Sequence, residues 1–244
     1  MGKSSKIILL MSLLFVFFGA ILFGNQASAE EEHLDVGELT IEDYETLIEE
    51  EILDESVPYE EAKKLFFNPD QITEEDFIGE KLTEEEAEEQ MSINAQYVPK
   101  KGDIVVTSST SASGVAGHAG IFRDNLHIIH FQSKAAGIKN DTWSQWKSKY
   151  PKTKVLRPSE ANRSKANVWV TNNYYIKNKQ PTYKINTELA KTNPSYCSKI
   201  VWQSYWYGAG SSVVRQPTAG VIVPYALEAS FYSKPSVPYN TTSF

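Results

Sequence analysis

The sequence predicts an α+β domain, an antiparallel sheet packed on helices, preceded by an acidic helical extension. Three observations predict it. Short β-rich segments crowd into one stretch, from Ile104 to Phe131. Segments with apolar residues at helical spacing follow that stretch instead of alternating with it, the pattern of a segregated α+β fold. Charge also divides the chain: residues 30–90 hold 25 Asp or Glu and 3 Lys, a net of −22, whereas residues 91–244 hold 6 acids and 19 Lys or Arg, a net of +13.

The first residues read as a signal peptide, residues 1–29. Lys3 and Lys6 precede an uncharged apolar run from Ile7 to Phe23, and Ala27-Ser28-Ala29 supplies the small residues of a cleavage site. No comparable apolar run follows, so the expected product is secreted, with no stable membrane insertion after cleavage. Residues 30–95 form the acidic extension. Thr83-Glu84-Glu85-Glu86 is a capping box, with close variants at Thr40-Ile41-Glu42-Asp43 and Thr73-Glu74-Glu75-Asp76. Leu39, Tyr44, Leu47, Ile48, Leu65, Phe66 and Phe77 could line one side but are too sparse for a core of their own. Opposite charge and a covalent tether favour docking of this extension on the basic domain, against the plainer reading of a solvated tail.

Residues 96–244 form the second domain. Ile104-Val105-Val106 is a strand, and Gly117–Phe122 and Leu126–Phe131 are two more around Arg123-Asp124-Asn125. Thr142–Tyr150 reads as a short helix after an Asn140-Asp141 cap, ended by Pro151. Ala166, Trp169, Val170, Asn173 and Tyr174 sit at helical spacing. A further helix is expected from Asn193-Pro194 to Gly208, and Val221-Ile222-Val223 as a last strand.

Cys197 is the sole cysteine, so no internal disulfide can form. In an exported protein such a thiol is either a small buried hydrophobe or a reactive group. With Asn193 as cap and Pro194 first in the helix, Cys197 falls in the opening turns. Unpaired N–H groups and the helix dipole favour a thiolate there, with a pKa below the ~8.5 of free cysteine. Ile200, Val201 and Tyr205 share its face, which places the thiol against the sheet. The Cys197 N–H is a candidate oxyanion donor.

Of four histidines, His33 lies in the acidic segment and reads as incidental, and His118 sits between small residues in Gly117-His118-Ala119-Gly120. His118 is the candidate base. A three-residue hairpin loop at 123–125 sets His118 opposite His130, the candidate third group; a two-residue loop would bring His127 to that face instead.

Gly117-His118-Ala119-Gly120-Ile121 with Ile129-His130 resembles the histidine hairpin of NlpC-type papain-like hydrolases. Tyr196-Cys197-Ser198-Lys199-Ile200-Val201-Trp202 follows that hairpin instead of preceding it. This order resembles the circularly permuted bacterial branch of the NlpC/p60 superfamily, which is related to lecithin-retinol acyltransferase-like enzymes. The resemblance covers about residues 97–232. It implies a permuted papain-like fold and acyl transfer through Cys197, His118 and His130, although glutamate often holds the third position in that branch.

The expected activity is that of a secreted cysteine amidase or peptidase cleaving peptide amide bonds of peptidoglycan, without cofactor, metal or nucleic-acid partner. Alternatives are a lipid or acyl ester hydrolase or acyltransferase using the same site, and a non-catalytic wall-binding module whose basic surface meets anionic wall polymers. A zinc site from His118, His127 and His130 with Asp124 or Cys197 is disfavoured, because His127 and His130 point to opposite faces of a strand. Trp143, Trp146, Trp202, Tyr205, Trp206 and Tyr207 are candidates for a groove lining or for the core.

Overall fold

The sheet is built from the short β-rich runs after Asp103. The computed structural model describes residues 39–67, 77–78, 97–107 and 117–241. The signal peptide, His33 and the boxes at Thr73 and Thr83 lie outside them. The strands are β1 (Phe77–Ile78), β2 (Ile104–Thr107), β3 (His118–Phe122), β4 (His127–Ser133), β5 (Gly137–Thr142), β6 (Thr153–Arg157), β7 (Gln216–Pro217) and β8 (Ser236–Asn240). Six of them form one sheet in the order β5-β4-β3-β2-β6-β8, every neighbouring pair antiparallel. The α+β expectation is met.

Both faces of the sheet are covered, which is why β2 and β3 are buried at every residue. On one face Ile104, Val106, Ala119, Ile121, Ile129 and Phe131 pack beneath α4 (Glu160–Val170) and α5 (Cys197–Gln203). On the other, Val105, Phe122, Ile128 and Val155 meet Trp146 and Tyr150 from α3 (Trp143–Lys149) and its end. The helices α4 and α5 each run on into a π-helical turn, Thr171–Ile176 and Ser204–Ala209.

The acidic segment contributes α1 (Ile41–Glu49) and α2 (Tyr59–Phe67). Thr40 caps α1 through the expected box with Asp43. These helices do not stand alone: Leu39, Ile52, Leu53, Val57 and Ala62 belong to the same core as the sheet, and Tyr44, Leu47 and Ile48 pack against it. Full burial of Leu39, Ile52, Leu53 and Val57 contributes about 1.5–3 kcal/mol each. Leu53 bridges Ile185 in parallel, and Lys184 pairs with Asp54 at 3.1 Å. The docked acidic helices thus find apolar cover that they cannot supply themselves.

Five expectations about local structure are corrected. The helix of Cys197 starts at Cys197 itself, with Tyr196 in the cap position; Asn193 instead accepts a hydrogen bond from Thr182 N–H. The α3 cap is Thr142, boxed with Gln145, and not Asn140-Asp141. Val221–Val223 is buried but forms no strand, because its polar backbone is held by side chains: Ser198 Oγ donates to Ile222 O and Ile222 N–H donates to Tyr196 Oη. Phe77 and Ile78 lie in a strand paired with β7 and not in a helix after Thr73. The β3–β4 register pairs Phe122 with Ile128 and Ile121 with Ile129, two residues along from the expected Phe122–Leu126 pairing. The longer loop follows from Arg123 N–H bonding His127 O, and from Asp124 accepting the N–H groups of Leu126 and His127.

Candidate functional site

The register shift keeps His118 and His130 on one face but makes them diagonal neighbours. Gly120 occupies the place opposite His130; a Cβ there would come within 3.1 Å of the His130 Cβ. The missing side chain lets the His130 ring lean towards His118, and His118 Nε2 lies 2.8 Å from His130 Nδ1.

Cys197 lies on the other side of the sheet, at the start of α5. Pairing between β3 and β4 is confined to Phe122 and Ile121, so the ladder is open beside Ala119. The first residue of α5 lies near it: the backbones of Ala119, Ser198 and Cys197 act to lower the pKa of the sulfur, and Ser198 Oγ is 4.0 Å away. The structure therefore brings together Cys197 and the β3 segment carrying His118, with His130 behind His118. His127 is on the opposite face, with Nδ1 3.0 Å from Asp124.

Sequence reasoning missed the next member. Asp141 Oδ2 lies 3.2 Å from His130 Nε2 and 2.7 Å from Lys149 Nζ. The first contact is at ion-pair distance but off the line of a well-aligned hydrogen bond. His130 and Lys149 hold the Asp141 carboxyl well below the usual carboxylate range. An ionised carboxylate only accepts, so hydrogen on His130 Nε2 is the arrangement that suits Asp141 best. With hydrogen there, His130 Nδ1 would accept from His118 Nε2–H. In that tautomer the lone pair of His118 is on Nδ1. The Thr142-x-x-Gln145 box was the available signal: it supplies the α3 cap and leaves Asp141 free for His130.

Aromatic rings enclose the imidazoles. Trp146 stacks on His118 with centroids 5.3 Å apart and planes at 17°, and meets His130 edge-on at 5.2 Å. Tyr150 closes on His118 at 5.2 Å. Trp146 Nε1–H donates to Thr153 Oγ1, which locks the indole. Of the other aromatic candidates, Trp202 and Tyr205 are core residues, while Tyr207 is 42% exposed.

Enclosure sets the protonation states. His118 is 1% exposed, and burial, reinforced by His130, pushes its pKa well below the ordinary value; Asp141 opposes this. Burial also lowers that of His130. Burial raises the Cys197 thiol despite its three N–H neighbours, contrary to the expected lowering. Burial thus favours the neutral form of the thiol and of each imidazole, because none of their charges is solvated. Among the described residues, no group of three or more His, Cys, Asp or Glu is arranged to hold a metal ion.

A family model described as lipoprotein N-acylation protein LnsA-like matches residues 65–237. The chain belongs to this family. The match supports the acyltransferase side of the resemblance and not the NlpC-type hydrolases specifically. A Bacillus thuringiensis protein described only as an uncharacterised 30.3 kDa protein is 33% identical over 148 residues, 56% of this chain. The chain spans 55% of that relative's length. The crystal structure of metalloprotein yiiX from Escherichia coli O157:H7 is 22% identical, with a TM-score of 0.35, over 46% of this chain and 67% of that one.

Proposed function

We propose that this chain is a cysteine acyltransferase that moves an acyl group onto an amine through Cys197. The sulfur attacks an ester carbonyl, and His118 Nδ1 takes the thiol proton. The carbon–oxygen bond breaks, and His118 returns the proton to the leaving alkoxide. An amine then attacks the thioester; the carbon–sulfur bond breaks, His118 takes the amine proton and passes it to the sulfur. The N–H groups converging near Cys197 would steady the oxyanion. Asp141 and His130 are positioning residues that keep the lone pair of His118 on Nδ1.

One observation carries the preference for transfer over hydrolysis. Cys197 is 6% exposed and His118 is 1% exposed. A thioester formed in so dry a site meets a positioned amine more readily than water. The family description, N-acylation, points the same way. A lipid-anchored polypeptide with a free amine is the proposed acceptor, and the apolar leader before Ala29 fits an exported enzyme.

The test is to incubate the protein with a diacyl phospholipid and an amine-bearing lipopeptide. Mass spectrometry should find the acylated lipopeptide and an acyl adduct on Cys197, both absent from Cys197→Ala. Free fatty acid without acyl-peptide would make the enzyme an ester hydrolase. Cleavage of muropeptides instead of lipids would restore the peptidase reading.

A further inference from the structure

Charge and exposed apolar surface coincide at one place outside the site. Among the described residues, eight large hydrophobic side chains are exposed, and four of them sit on the two π-terminated helices: Val168 at 59%, Tyr175 at 51%, Ile176 at 67% and Tyr207 at 42%. Gly208 sets the close spacing of the two helices here. A Cβ there would lie 2.7 Å from Lys165 O, so only glycine lets the two helices close. Trp169 then stacks on Tyr207 with centroids 5.7 Å apart and planes at 20°. An open groove of about 580 Å³ runs between them, lined by Lys165, Val168, Trp169, Asn172, Lys177 and Tyr207. It is far from the thiol: Tyr207 follows Cys197 by ten residues on one continuous helix, roughly 15 Å along the axis.

Lysine dominates the charge along these two segments, while at their edge Arg123 lies over the Tyr175 ring at 3.8 Å and pairs with the exposed Asp124. No acidic residue occurs from Ala161 to Thr187 or from Leu189 to Leu227. Lys165, Lys177 and Lys179 are exposed, and none forms an ion pair among the described residues. Protein interfaces are depleted of lysine. A membrane interface selects the combination present here: Trp and Tyr at headgroup depth, aliphatic side chains below, and lysine stems reaching back to phosphates.

We propose that the face formed by residues 165–179 and 204–209 docks on an anionic lipid surface. Docking does not require the acyl-transfer reading, but it would serve it. An amine-bearing polypeptide anchored in the same membrane would need about five extended residues to span the distance to Cys197.

The experiment uses the full chain with vesicles of phosphatidylcholine, with and without phosphatidylglycerol. The apolar N-terminal run is common to all variants, so binding is localised by hydrogen exchange. Anionic vesicles should protect residues 165–179 and 204–209, and high salt should remove the protection. Lys165→Gln/Lys177→Gln/Lys179→Gln should weaken this protection about 100-fold in lipid concentration, at roughly fivefold per lysine. Val168→Ser/Ile176→Ser should abolish it, while Cys197 alkylation in the absence of lipid stays at the parent rate. No protection at these segments, or equal protection by uncharged vesicles, would overturn the proposal. Protection that grows with protein concentration in the absence of lipid would assign the face to a second copy of the chain and overturn it equally.

Discussion

Strand β4 carries two clusters of the same chemistry, one on each face. His130 has Asp141 and Lys149; His127 has Asp124 and Arg123, whose guanidinium lies 2.7 Å from the carboxylate. Each is a histidine, a carboxylate and a cation. What separates them is what lies beyond. His130 is fully buried, boxed by Trp146, and joined to His118. His127 is 29% exposed, and its partners are those of its own hairpin turn. Solvent screens the outer cluster. In the inner one a proton's position on one ring fixes its position on the next. The same three groups close a turn on one side and set a tautomer on the other.

The widest divergence should appear on removing each histidine. His130→Ala is expected to lower turnover by ~10²-fold or more, and His127→Ala by less than about twofold, since only the first frees the general base to rotate. Steady-state kinetics with equal Tm for both variants would sharpen the contrast; equal losses of turnover would break it.

The carboxylates come next. Asp141→Asn should cost about 10- to 100-fold, because an amide can either donate or accept and no longer dictates the tautomer of His130. Asp141 also raises the His118 pKa, so its loss should shift the acid limb of the rate profile to lower pH. Asp124→Asn should leave both the rate and the profile in place. If Asp141→Asn changes Tm alone, Asp141 is only a packing residue.

The third expectation concerns stability against pH. His118 and His130 have folded pKa values below their unfolded ones. The unfolded chain therefore binds protons that the folded one refuses once the pH falls below ~6.5, and stability drops from there downward. Asp141, depressed in the fold, adds a further loss below about pH 4 as it is protonated. Thermal melts at pH 7.5 and 5.5 should show a lower Tm at the lower pH, and His130→Gln should narrow that gap.

The smallest effect is in the thiol itself. With burial raising Cys197, its alkylation rate should still be climbing above the ~8.5 of a free thiol. A flat rate from neutral pH upward would reveal a thiolate–imidazolium pair instead.

Residue identity alone was enough to nominate Cys197, His118 and His130, because a helix-borne cysteine and small residues around a strand histidine are local signals. Asp141 was not legible for a physical reason. An acid just before a helix is equally well explained as a cap, and only the Thr142–Gln145 box removes that explanation. The register was missed because Asp124 organises the loop through its side chain, which loop length does not report. The sheet's existence was legible from its β-rich runs; β6 was not, nor were β5 and β8, which are partly exposed and polar. Enclosure of the imidazoles depends on Trp146 and Tyr150 folding back over the sheet, which no local pattern announces.

The docking of the acidic helices has a consequence for the order of events during synthesis. Ser56 accepts a hydrogen bond from Thr187 across 131 residues of sequence. A ribosome making about 5–20 residues per second therefore exposes residues 39–62 for many seconds before their partners exist. During that wait Leu39, Leu53 and Val57 have nothing to bury against. The surrounding carboxylates keep the segment solvated and self-repelling, so its charge guards against premature association until the last third of the chain arrives.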